Sequence, residues 1–148
     1  MIFSLLNNAR EIKMGYTLDP RLDADSEFIC HLNLSEVRLH KNSAFPWIML
    51  IPKRENIVEL IDLSPQDQAL LFQEILLASH VVKEHFLPDK LNVANLGNIV
   101  SQLHVHIIAR FREDLAWPNP VWNSGIKSDY DAKEKQRIIS QLKNKFEI

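Results

Sequence analysis

A single cysteine, Cys30, excludes an internal disulfide and any zinc cluster built on cysteine pairs, and it favours a reducing compartment, the cytoplasm by default. Glycine is scarce as well: the chain has three, and no Walker-type loop or glycine-rich phosphate cradle. The formal charge is only -2, so bulk electrostatics would gather neither nucleic acid nor an anionic membrane surface. No apolar run approaches the length of a membrane span. MIFSLL at the start is too short for a signal-peptide core, has no basic region before it, and runs into NNAREIK instead of small residues suited to cleavage. Internal repeats and low-complexity tracts are absent.

What remains is ordinary globular composition, 46% apolar and 24% charged. A length of 148 residues suits one domain that buries roughly two thirds of its unfolded surface. EFICH (27–31) and EVRLH (36–40) alternate moderately around an Asn-Leu-Ser break and predict two short antiparallel strands. Trp47 to Ile51 follows Pro46, is apolar throughout and stops at Pro52, the pattern of a central buried strand. Glu55 to Leu63 predicts a short helix or turn. Ser64-Pro65-Gln66-Asp67 then supplies an N-cap, a proline at the first helical position and a carboxylate three residues after the cap, predicting a helix to about Phe86. Along it Leu71, Ile75, Ala78 and Val82 form a stripe that must cover a sheet. His80 and His85, in or near that stripe, read as structural, since a helical histidine near a C-terminus gains from the dipole. His31 and His40 read as ordinary strand residues. A tail helix is predicted from a Ser128-x-x-Asp131 start, with Ile138, Ile139, Leu142 and Phe146 at helical spacing and a solvated basic face.

The chemistry-bearing stretch is Gln102 to Ile108, QLHVHII, in which polar and apolar residues alternate without a break as far as Ile107. In a strand this puts Gln102, His104 and His106 on one face and Leu103, Val105 and Ile107 on the other. Next neighbours on a face lie about 6.5–7 Å apart, close enough for two imidazoles and an amide to converge on one polar ligand. The bland alternative is the wet face of a half-exposed strand. Against it, such faces usually take Thr, Lys, Glu or Ser, whereas adjacent imidazoles repel when both are charged. Lys90 to Asn95 predicts the preceding strand, joined by a turn at Leu96-Gly97-Asn98 in a hairpin that brings Asn95 and Asn98 near Gln102.

VSQLHVHIIAR (100–110) resembles the signature of the histidine triad (HIT) superfamily of nucleotide hydrolases and transferases, His-φ-His-φ-His-φ-φ with φ apolar. Gln102 stands at the first His, and His104 and His106 at the second and third. The closest resemblance is to a bacterial, diadenosine tetraphosphate hydrolase-like branch with a Gln-φ-His-φ-His signature and a downstream Trp-Pro-x-Pro-Val-Trp segment, present here as Trp117 to Trp122. FPW at Phe45 to Trp47, IPKR at Ile51 to Arg54 and LNVANLGN at Leu91 to Asn98 fall in family order. The resemblance divides the chain into an N-terminal extension (1–14), either an added helix or an unstructured lead-in, a HIT-like domain (15–123) and a C-terminal helical tail (124–148). It implies an α+β fold, an antiparallel sheet of about five strands with the long helix packed on it. It also implies a homodimer that joins two sheets across their edges.

By resemblance His104 is the nucleophile that attacks the α-phosphate of a nucleotide, through a covalent phospho-histidine, and His106 donates to the phosphate oxygens. A backbone carbonyl can fix the tautomer of His104. Gln102 can donate to a phosphate or leaving oxygen but cannot exchange a proton as imidazole does, which predicts slow turnover or a restriction to good leaving groups. Asn95 resembles a family position that holds the phosphate or polar groups near it. The nucleotide-binding candidates are completed by Asn98, Ser101, Asn42 and Trp117. For Asn98 local turn preference is an equal explanation, and Trp117 and Trp122 could stack on a base or pack a loop or subunit contact. The expected ligand is a nucleotide, with adenine favoured, and no cofactor or metal is required. Two alternatives stay open: a nucleotide-binding protein without turnover, and a His-x-His metal enzyme, for which the sequence offers no third ligand nearby.

Overall fold

The computed structural model describes residues 15–147, so the expected extension at 1–14 lies outside the described residues. Strands form where the alternation predicts them: β1 (Ser26–His31), β2 (Ser35–His40), β3 (Trp47–Pro52), β4 (Lys90–Ala94) and β5 (Val105–Arg110). They pair antiparallel in one sheet of order β1-β2-β3-β5-β4, so β3 is central, and all six of its residues are buried. A short helix α1 (Pro20–Ala24) precedes β1, α2 (Pro65–Phe86) joins β3 to β4, and α3 (Ala132–Phe146) follows β5. The 55–63 segment contributes a 3-10 turn at Leu60–Asp62. Among the described residues no helix is long and apolar enough to cross a membrane.

Register assigns the two faces. Leu39, Ile48, Ile107 and Val93 lie opposite one another across β2, β3, β5 and β4, and Arg38, Met49, His106 and Ala94 do so on the reverse face. The first face meets both long helices: Val37, Leu50, Leu103, Val105 and Ile107 pack with Leu71, Ala78 and Val82 of α2 and with Ile138 and Leu142 of α3. Each such side chain, once buried, contributes about 1.5–3 kcal/mol. The reverse face carries Trp47, Met49, Ile51 and Ile108. Neither long helix covers it; the short helix α1 brings Leu22 from one end, and irregular chain brings Ala116 and Val121 from the other.

Three local expectations need correction. β5 begins at Val105, not Gln102, because Leu103 gives its N–H to the Ile57 carbonyl outside the sheet; the alternation of faces nevertheless persists through Leu103 and His104. The tail helix begins at Ala132 under an Asp131 cap, because the Ser128 backbone is tied to Asn42 and Ser43. In α2, Ser64 accepts the Asp67 N–H as predicted, but the Asp67 carboxylate is taken bidentately by Arg54 (2.7 and 3.0 Å). The core face of α2 also buries Glu74, whose carboxylate accepts the N–H groups of Leu34 (2.7 Å) and Ser35 (3.1 Å) in the β1–β2 turn. Ile75 is only partly buried, His80 is exposed, and His85 lies against the Phe86 ring.

Candidate functional site

His104 and His106 are both buried on the reverse face, with ring centroids 4.8 Å apart. A carbonyl oxygen only accepts, so the 2.6 Å contact between His104 Nδ1 and the Gln102 carbonyl puts the proton on Nδ1. The Nε2 lone pair of the neutral ring is thereby left for other work. The same reasoning fixes His106. The Trp47 indole N–H donates to its Nδ1 (3.0 Å), so its one proton sits on Nε2 and is given to the Leu96 carbonyl (2.9 Å). Where the sequence reading has this N–H donate to a phosphate, the structure gives it to the loop that joins β4 to β5.

That loop, residues 95–104, crosses close over His104. A methyl group on Gly97 would stand 2.6 Å from the Val100 carbonyl oxygen and 3.2 Å from His104 Cε1, so only glycine fits between loop and ring. Asn95, Asn98 and Ser101 are exposed on this loop, and their side chains form no hydrogen bond among the described residues. Gln102 is occupied: its Oε1 accepts the Asp19 N–H (2.8 Å) and its Nε2 donates to the Thr17 carbonyl (2.9 Å).

Two candidates are drawn to other tasks. The Asn42 amide donates to the Ile126 carbonyl (2.9 Å) and accepts the N–H groups of Ala44 and Ser128 (both 3.1 Å), clasping the segment before α3. Trp117 lies 5.8 Å from the guanidinium of Arg110, a fully buried side chain that also faces Phe45 and ion-pairs bidentately with Asp114. Of the two tryptophans in the 117–122 segment it is instead Trp122 that lies against the histidines, its ring centroid 5.0 Å from that of His106. Trp122 also lines an open cleft of about 410 Å³ with Leu115, Asn119, Asn123 and Ile126.

His40 and Trp47 are the residues that sequence reasoning missed. Their rings stack at 3.9 Å with an interplanar angle of 6°, which extends the cluster from His104 through His106 and Trp47 to β2. The signal was in EVRLH: its polar residues Glu36, Arg38 and His40 alternate with Val37 and Leu39, and on a sheet with helices on one face they belong to the face of His106. Burial pushes the pKa of His40 down to about 4, against a small opposite pull from Asp25. Burial likewise pushes His106 down to about 4, aided by His104 and His40 and opposed by its bond to Leu96.

These depressed values make stability pH-dependent. Above the ordinary histidine pKa of about 6.5 both rings are neutral, folded or unfolded. As pH falls from 6.5 toward 4 the unfolded chain takes up protons that the native rings refuse. Each ring then costs about 3 kcal/mol of stability by pH 4. Urea midpoints are expected to drop steeply between pH 6.5 and 4.5, and His40→Phe should flatten that drop. Parallel curves for wild type and variant would refute the linkage for His40.

Fold and site together define an α+β protein with paired, buried imidazoles on the face of a five-strand antiparallel sheet opposite its two long helices. Residues 21–113 match the HIT domain, and the chain belongs to that family. It is similar to solved histidine triad proteins of Bradyrhizobium japonicum (46% identity, TM-score 0.87, covering 90% of this chain and 99% of that one) and Sinorhizobium meliloti (38%, 0.85, 88% and 96%). A histidine triad protein of Marinobacter aquaeolei is similar at 34% identity, with a TM-score of 0.87 and coverage of 90% and 98%. No curated protein matches the chain.

Proposed function

We propose that the protein binds a nucleotide and cleaves it at the α-phosphate, as a hydrolase or nucleotidyl transferase, with His104 as the nucleophile. The observation that carries this reading is the Nδ1–H bond from His104 to the Gln102 carbonyl, which selects the tautomer whose lone pair is on Nε2. In the first step the Nε2 lone pair forms an N–P bond while the P–O or P–N bond to the leaving group breaks, and the departing atom keeps the electron pair and takes a proton. In the second, water or another acceptor attacks phosphorus, the N–P bond breaks and the neutral imidazole returns. The His106 N–H on the Leu96 carbonyl is the donor a phosphate oxygen would compete for, and Asn95, Asn98 and Ser101 are exposed on the same loop. The cleft beside Trp122 would suit an adenine base stacked on the indole. Dinucleoside polyphosphates and nucleoside phosphoramidates are the substrate classes with this geometry at the α-phosphate.

β4 is an edge strand with Val93 about half exposed, a surface suited to the paired sheets of a homodimer. The lone buried cysteine suits a cytoplasmic setting. The second reading, nucleotide binding without turnover, is favoured by one observation: the first triad position holds an amide, which has no titratable proton to give, and its Oε1 and one N–H are already bonded to backbone.

The test is metal-free incubation with labelled diadenosine tetraphosphate and adenosine phosphoramidate, quenched early. The expected result is release of a mononucleotide together with an acid-labile nucleotidyl adduct on the protein. Binding of nucleotide with neither adduct nor product would favour the second reading.

A further inference from the structure

We propose that Gln102 is a positioning residue: its side-chain amide holds the segment Thr17–Asp19 over the site while its main-chain carbonyl sets the His104 ring. On this view it serves the reaction through His104 and does not donate to the leaving group. The inference rests on the reading of His104 as nucleophile. Gln102 donates to the carbonyl of residue 17 and accepts from the N–H of residue 19, contacts that span 85 and 83 positions of sequence. A residue of a parallel strand bonds its neighbour in the same i and i+2 pattern, so the amide pairs with this segment as a strand's backbone would. An imidazole carries its donor and acceptor on opposite sides of a ring and cannot meet both groups along one strand edge. The substitution of Gln for the first triad histidine is thus explained by the segment it holds.

The segment is fastened on both sides of that bridge. The Tyr16 hydroxyl donates to Glu36 (3.1 Å), and Arg38 reaches Asp23 (2.7 Å). Arg21 donates to the Ile99 carbonyl (3.0 Å), while its guanidinium also grips the Asp19 carboxylate. Glu36 and Arg38 lie on the sheet face of His106, and Ile99 lies on the loop over His104. The segment therefore ties β2 to that loop, with Gln102 as the tie nearest His104. Because Gln102 also accepts the His104 Nδ1–H at 2.6 Å, loosening its side chain frees the carbonyl that selects the reactive tautomer. The leaving atom takes its proton from water.

Wild type, Gln102→Ala and Gln102→Glu distinguish the roles; the glutamate keeps the acceptor for Asp19 and loses the donor to Thr17. Amide exchange at Asp19 is expected to rise about tenfold or more in Gln102→Ala, with Gln102→Glu between. The ¹⁵N shifts of His104 should move from one Nδ1–H tautomer to a mixture. Across a series of aryl esters of AMP, kcat should fall by a uniform factor of roughly 10 to 100 with KM little changed. A loss that grows as the leaving group becomes more basic would overturn the proposal and make Gln102 a donor. Unchanged Asp19 exchange and an unchanged His104 tautomer would overturn it too. If wild type turns over no ester, the proposed activity fails, and exchange and tautomer alone then decide the positioning role.

Discussion

His104→Ala is expected to lower kcat/KM by about 10⁴-fold or more, roughly 5.5 kcal/mol of lost transition-state stabilisation, while nucleotide affinity stays within about fivefold. Alanine removes the Nε2 lone pair, and the local structure offers no replacement. The neighbouring ring, His106, has its lone pair on Nδ1, committed to the Trp47 indole. Its remaining nitrogen bears the proton given to Leu96. Steady-state kinetics and equilibrium binding on one nucleotide separate the two quantities. A loss of less than about tenfold would remove His104 as nucleophile.

Asp114→Ala is the second large effect, on stability. Arg110 is 1% exposed and its guanidinium makes four hydrogen bonds: two to Asp114 (2.8 and 2.9 Å), one to the Asn92 side chain (2.8 Å) and one to the Asn119 carbonyl (2.9 Å). Removing the carboxylate leaves a buried cation without its counter-charge, a change that costs about 3–5 kcal/mol. It also frees the turn at Phe111 and Ala116, whose N–H groups the same carboxylate accepts. The urea midpoint should fall by roughly 2 M with little change in slope. An unchanged midpoint would mean that Arg110 is satisfied by Asn92 and Asn119 alone.

How much of this was legible follows from how local each cause is. Ser64 and Pro65 start α2 and the helix ends at Phe86, because caps act within a turn of the chain. The alternation in QLHVHII separated His104 and His106 from Leu103, Val105 and Ile107, since period two is a property of the strand itself; the same period in EVRLH went unused, and His40 was missed. Contacts between distant segments left no such mark. Gln102 meets Thr17 and Asp19 more than eighty positions away, Asn42 clasps Ile126 across 84, and Trp47 finds His106 across 59. Trp117 and Trp122 sit in one short motif, yet a buried arginine draws one and the histidine cluster the other. Nothing in their spacing distinguishes them.

The buried carboxylate of Glu74 bears on the order in which the chain folds. The β1–β2 hairpin is the most local piece of the sheet, and Leu32 closes it on the Ser35 carbonyl, but the N–H groups of Leu34 and Ser35 find their acceptor on a helix about forty positions downstream. Closing so long a loop costs chain entropy before any contact rewards it. The hairpin is therefore expected to stay unlocked until α2 docks, which places that docking in the rate-limiting step. Glu74→Gln should then slow refolding in stopped-flow measurements more than it speeds unfolding, and the reverse partition would put α2 docking after the barrier.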